Sequence, residues 1–361
     1  MSENGENEEH SKKILCLSLN QDNSFLAAGT ETGFNMYNTS NFESENIKKF
    51  KFEGGVSQIS MINQFCVFLL VGNNKNFPDN KLIIWNNDKK EIYASLNFSS
   101  KILGIYLKPK NFYVILKNKF YVYKFEKFEI IDEVKTYDNP YGIYAISKDL
   151  NSNIFCYPES ENVGTITIKD YNNISYDNNN NNNNNFLIKK INAHKSKIIC
   201  ICLSFLDDFL ATASEKGTII RIFRIKDGLL LQELRRGSES ALIYSIAFNK
   251  ENTFLCCSSD KGTIHIFNLK IEIQNESKNQ KSVFSYVTNF FGVNNQYLNS
   301  EWSFAKFKLP LDDICKSIVC FNKNNLVNVF TYNGKFFELK FDIEKGGEIK
   351  NADSEIPFIK M

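Results

Sequence analysis

Three stretches of this chain can be laid over one another: FLAAGTETGF from Phe25, FLATASEKGT from Phe209 and FLCCSSDKGT from Phe254. The last two begin 45 residues apart, and the first two 184 apart, which is four steps of 46. This period constrains the fold more than any other feature, because a repeat of ~40–45 residues built from four short strands is the pattern of a β-propeller blade. The same ruler finds FCVFLLVG near Phe68, FYVILKNKFYVY near Phe112, IFCYPESENVGTITI near Phe155 and LVNVFTYNGKFFEL near Val327. Strand-like leads such as KKILCLSLN, SKILGIYL, YGIYAISK, SKIICICLSF, ALIYSIAF and KSIVCFN precede the anchors. Seven units result, so the expected fold is all-β: a seven-bladed, WD-repeat-like propeller over residues 12–361, with blades of four antiparallel strands. The WD dipeptide itself is absent, since Trp85 is followed by Asn86.

Two gaps exceed the period. Phe155 to Phe209 is 54 residues, and an asparagine tract accounts for the excess; residues 176–185 are expected to form a disordered loop. Phe254 to Val327 is 73 residues, which leaves an insertion of about 28 that a loop absorbs at little closure cost. That insertion falls in residues 271–300, and the polar, acidic residues 1–11 read as a disordered tail.

Composition agrees with strands and excludes several functions. Thirty-two Phe and 16 Tyr favour extended structure, and a hydrophobic fraction of 43% supports a real core. A net charge of +2 provides no global field for nucleic acid, so anion binding must be local. The N-terminus MSENGENEEH is unlike a secretory signal, and FCVFLLVG is too short to span a bilayer, so a soluble, cytoplasmic chain is expected. The nine cysteines form no CxxC pair and sit mostly in apolar strand-like runs, which reads as reduced thiols packing as small hydrophobes, with no metal site. No GxSxG, HExxH or Walker-type loop is present, and three histidines leave little acid–base machinery, so no catalytic residues and no cofactor are expected.

The chemistry concentrates at LRRG, residues 234–237. TIIRIFRI, KDG and LLLQELRRG read as a hairpin whose second strand is the outermost of the fifth blade and stops at Gly237. Neighbouring side chains of a strand leave on opposite faces, so Arg235 and Arg236 are aimed at grooves on either side. Matching partners recur at one blade's spacing: Ser214, Thr218 and Arg221 in SEKGTIIR, and Ser259, Thr263 and His265 in SDKGTIH. Hydroxyls around a guanidinium suit phosphate oxygens. Taken singly, paired arginines are more often a solvated rim, and repeated Ser and Thr often staple turns through backbone bonds.

LRRG followed by SESALIYSIAF, flanked by NAHKSKI, ATASEKGTIIRIF and SSDKGTIHIFNL, resembles the PROPPIN family of seven-bladed, phosphoinositide-binding propellers. The resemblance is strongest over residues 190–270 and extends through FAKFKLP at 304–310; the family's motif begins with Phe where this chain has Leu234. It implies two rim sites for phosphatidylinositol 3-phosphate and phosphatidylinositol 3,5-bisphosphate. By matching positions, His194, Ser214, Thr218, Arg221 and Arg235 form the first, and Arg236, Ser259, Thr263 and His265 the second.

Within the insertion, Val283, Phe284, Val287, Phe290 and Phe291 recur at helical steps, with Ser282 placed to cap and Gly292 to stop a short amphipathic helix. Its apolar face packs against the propeller or, as the resemblance implies, enters a membrane interface through Phe284, Val287, Phe290 and Phe291. The family role implied is an autophagy or membrane-trafficking effector, a monomer in solution. It would join phosphoinositide-containing autophagosomal, endosomal, vacuolar or plastid-type membranes to a lipid-transfer or conjugation protein. The alternative is a soluble WD-repeat scaffold that binds only proteins.

Overall fold

The second strand of most repeats is rich in apolar and small residues because it is buried on both faces. Phe209–Ser214 and Phe254–Ser259 are buried at every residue. Alternation then sends successive side chains to different neighbours. Phe209, Ala211 and Ala213 pack towards the sixth repeat, against Leu255, Cys257 and Phe267. Leu210 packs towards the fourth, against Cys156, Ile166 and Ile168. Burying a side chain as large as Phe209 or Leu210 contributes roughly 1.5–3 kcal/mol, and truncating Leu210 to Ala costs about 2–5 kcal/mol.

The protein is seen here in a computed structural model that describes residues 13–40, 42, 48–52, 54–62, 66–159, 164–172, 187–271 and 300–359. The strands form seven sheets, each antiparallel through its first four strands, and every expected anchor lies in a second strand. This is the seven-bladed propeller. The expected tail at 1–11, the asparagine-rich loop at 176–185 and the side chains Phe284, Val287, Phe290 and Phe291 lie outside the described residues.

Two blades depart from the four-strand expectation. The fifth adds Glu301–Trp302, which pairs in parallel with Leu230–Arg235, and the sixth adds Gly347–Ile349 in parallel with Ala305–Lys308. Leu230–Arg235 is therefore not the outermost strand of its sheet, and it ends at Arg235, two residues before Gly237. Pairings of two or three residues carry no hydrophobic period, which is why they were not legible as strands.

The seventh and first blades close the ring by side-chain packing, each completing its own four strands. Phe42, Phe330, Phe336 and Phe358 form an aromatic cluster across that seam, with Phe42 and Phe336 stacked at 4.2 Å. The Tyr37 hydroxyl donates to the Phe358 carbonyl at 3.0 Å. Five cysteines, Cys16, Cys156, Cys256, Cys257 and Cys320, are buried in the clusters between blades, and burial pushes the Cys16 and Cys257 thiols up to about 12.

Candidate rim sites on the fifth and sixth blades

Pairing register decides where the two arginines go. In the hairpin of the fifth blade, Arg235 lies opposite Ile219, Leu234 opposite Ile220 and Glu233 opposite Arg221. Ile220 and Leu234 belong to the cluster shared with the sixth blade, so Arg221, Glu233 and Arg235 occupy the other face, towards the fourth. The Arg236 N–H continues the ladder by donating to the Thr218 carbonyl at 2.9 Å. Its side chain lies on Leu234's side, close enough to the sixth blade for its charge to act on Cys257 and His265. The guanidinium groups thus leave on opposite faces, and neither extends into bulk solvent: Arg235 is 3% exposed and Arg236 6%.

The first site sits against the fourth blade. His194 follows that blade's outer strand, Leu187–Asn192, and its Nε2 lies 2.9 Å from Thr212 Oγ1 and 3.2 Å from the Thr212 carbonyl. Burial, then the nearby Arg221 charge, pushes the imidazole down to about 4, so it is neutral at pH 7. Arg221 donates from Nε to Glu233 Oε1 and from a terminal nitrogen to the Ala193 carbonyl, both at 2.6 Å. Arg221 also lines a groove of about 330 Å³ with Lys190, Asn192 and Asp227. Ser214 and Thr218 flank the turn into the third strand, and Arg235 Nε donates to Ser300 Oγ at 2.7 Å. The structure therefore brings His194 and Arg221 together and sets Arg235 on their face, with Ser300 on its guanidinium.

The second site is built differently. Arg236 Nε donates to the Gly217 carbonyl at 3.0 Å, and a terminal N–H donates to the Glu239 carbonyl. Gly217 turns with φ +58, and a Cβ there would meet the Ala241 carbonyl oxygen at 1.8 Å, so only glycine presents that acceptor. Burial pushes the Arg236 guanidinium below its ordinary range, with Cys257, Asp260 and Glu239 acting the other way. His265 Nδ1 lies 3.3 Å from Ser303 Oγ. Burial first, then Arg236 and Lys306, pushes this imidazole down to about 4. Ser259 is buried and accepts the Lys261 N–H at 3.4 Å, while Thr263 and His265 pair with Lys308 and Lys306 of the fourth strand, Ala305–Lys308.

Sequence reasoning missed Glu233, Thr212, Ser300, Ser303 and Lys306. Glu233 was within reach, because a hairpin drawn at the KDG turn sets it across from Arg221. Ser300 and Ser303 were not, since they follow a long insertion with no register of its own. Lys306 stood in FAKFKLP without an assigned role. No group of three or more His, Cys, Asp or Glu that could hold a metal ion occurs among the described residues. No helix among them is long and apolar enough to cross a membrane.

Known proteins place this architecture. The chain is 33% identical over 350 residues to autophagy-related protein 18e of Arabidopsis thaliana, covering 96% of this chain and 88% of that one. It is 29% identical over 360 residues to autophagy-related protein 18 of Dictyostelium discoideum, covering 94% and 92%. Among solved structures, Kluyveromyces lactis Hsv2 with a complete loop 6CD superposes with a TM-score of 0.77 at 20% identity, over 96% of this chain and all of that one. A complex described as KlAtg21 with the coiled coil of AgAtg16 superposes at 0.73 and 22% identity, over 97% of this chain and all of that one. The PROPPIN family model matches residues 13–331. The chain belongs to the PROPPIN family.

Proposed function

We propose that this propeller is a non-catalytic phosphoinositide effector, which binds phosphatidylinositol 3-phosphate and phosphatidylinositol 3,5-bisphosphate at two rim sites and carries autophagy or trafficking machinery to the membranes that display them. The observation that carries the reading is the divergence of Arg235 and Arg236 onto opposite faces at the end of one strand, Arg235 on the face of Arg221 with Ser300 on its guanidinium, and Arg236 near enough to the neutral His265 for its charge to act there. A phosphate monoester takes bidentate donation from a guanidinium and single donors from Ser and Thr. In this reading His194, Ser214, Thr218, Arg221 and Arg235 serve one headgroup, and Arg236, Ser259, Thr263 and His265 the other. Phe284, Val287, Phe290 and Phe291 add an apolar anchor, which strengthens two modest sites on one rigid rim through effective concentration. The protein partner is an autophagy lipid-transfer or conjugation protein, met at an autophagosomal, endosomal, vacuolar or plastid-type membrane.

A protein-only scaffold is favoured by one observation. Both arginines already hold partners within the fold, Ser300 for one and two carbonyls for the other. Flotation with liposomes across a phosphoinositide panel separates the readings. The wild-type chain floats with 3-phosphorylated lipids and R235T/R236T does not, at unchanged melting temperature. Equal flotation of the two would leave the scaffold.

A further inference from the structure

The second groove carries more cations than one phosphate needs. Alternation along the third and fourth strands of the sixth blade sends Ile264, Ile266, Ala305 and Phe307 into the core shared with the seventh blade. Thr263, His265, Lys306 and Lys308 therefore occupy the opposite face, towards the fifth blade and Arg236. Lys306 lies directly across from His265 and Lys308 from Thr263, so each lysine is the cross-strand neighbour of a residue already placed in the site. His265 feels two cations, Arg236 from the fifth blade and Lys306 from its own sheet.

Both lysines are exposed, and neither ammonium holds an ion pair or hydrogen bond among the described residues. Glu348 of the added fifth strand stands beside Lys306 in register and makes no ion pair with it there. Asp260, whose carboxylate accepts the Leu242 N–H, acts on Arg236 through its charge, as does the carboxylate of Glu239. The first groove answers its cations from within. Arg221 is bonded to Glu233 at 2.6 Å, and Lys190, which lines the groove beside it, pairs with Glu159 at 3.0 Å. A second phosphate entering that groove meets lysine and arginine already held by carboxylates. One entering the other meets two ammonium groups whose donors are open.

We propose that the second groove selects a headgroup with two phosphates, phosphatidylinositol 3,5-bisphosphate over phosphatidylinositol 3-phosphate, with Arg236 on one phosphate and Lys306 and Lys308 on the other, while the first groove does not discriminate. The proposal rests on the reading of both grooves as headgroup sites and adds the residues that set their specificity. A buried guanidinium presents donors in a fixed fork and suits the phosphate that anchors the ring, whereas ammonium groups on flexible stems act as point charges that follow a second one. Each further phosphate brings a charge of about −1.5 to −2, so the effect falls on selectivity more than on the anchoring contact.

Two soluble headgroups, inositol 1,3-bisphosphate and inositol 1,3,5-trisphosphate, are titrated by calorimetry into full chains that keep one groove each, Arg235→Thr for the second and Arg236→Thr for the first. Arg235→Thr should bind the trisphosphate about tenfold more tightly than the bisphosphate, and Arg236→Thr should bind the two within about threefold. In the Arg235→Thr chain, K306M/K308M should bring the preference to within about threefold while affinity for the bisphosphate changes by less than about threefold. That surviving affinity shows the variant to be folded, and K306R/K308R should keep the preference. A preference that survives K306M/K308M, a preference of the same size in the first groove, or equal affinity for the two headgroups in Arg235→Thr overturns the proposal and leaves the two headgroup sites standing. An Arg235→Thr chain that binds neither headgroup removes the second site itself, and both readings fall with it.

Discussion

The two proposed rim sites share a repeat but differ in how their charge is answered. In the first, Arg221 is already paired with Glu233 at 2.6 Å, on side chains that are each less than a fifth exposed. In the second, Arg236 is held by carbonyl oxygens, and Lys306 stands opposite His265. An anion entering the first site competes with a carboxylate bonded to the guanidinium, whereas one entering the second meets carbonyl dipoles and Lys306, with Asp260 and Glu239 acting on Arg236 through their charge at longer range. Duplication of the strand pattern therefore did not duplicate the electrostatics, and the second site should bind a phosphate more tightly at low ionic strength.

The largest effect should come from the second site's arginine. Removing a buried, hydrogen-bonded charge from a binding site costs roughly 2–5 kcal/mol. Arg236→Thr should therefore weaken liposome recruitment by more than Arg235→Thr, which leaves Arg221 in the first site. Flotation of the two single variants side by side checks the order, and the reverse order would remove the asymmetry. Next in size, Lys306→Glu places a carboxylate beside His265 and should weaken the second site about tenfold, read as soluble headgroup affinity in an Arg235→Thr background.

Glu233→Gln should act in the opposite direction. It releases Arg221 from an ion pair of modest worth, so affinity at the first site rises roughly two- to fivefold, measured in an Arg236→Thr background. A loss of affinity there would mean that Glu233 positions Arg221 for the ligand instead of competing with it. The smallest effect concerns pH. His194 and His265 are held down to about 4, below the ordinary 6.5, so the unfolded chain binds more protons than the native one between those values. Their contribution to stability is complete above about 6.5 and is lost as pH falls towards 4. The melting temperature should drop by about a few degrees between pH 7 and 5, and H194Q/H265N should flatten that slope. A bound phosphate favours the protonated imidazole, so headgroup affinity should rise over the same fall in pH.

Much of the ring was legible because a strand buried on both faces leaves a run of apolar and small residues without charges. FLATAS and FLCCSS announced themselves and carried the period to weaker copies such as IFCYP. The inner strand of the second blade, Val56–Met61, was not among the leads, since VSQISM mixes polar residues with its apolar ones. In the sites, the arginine pair and the hydroxyls of the two GT turns could be read from spacing. The pairing of Arg221 with Glu233 was within reach of a hairpin drawn at the KDG turn, but the bonds of Arg235 to Ser300 and His265 to Ser303 were not, because they depend on residues brought back after an insertion.

Stoichiometry tests the central claim most directly. Calorimetric titration of the full chain with soluble inositol 1,3-bisphosphate, the headgroup freed of its lipid, should give two sites per chain, one in each single-arginine variant and none in R235T/R236T. A single site in the wild type, or two sites that survive either substitution, would contradict the assignment of one guanidinium to each groove.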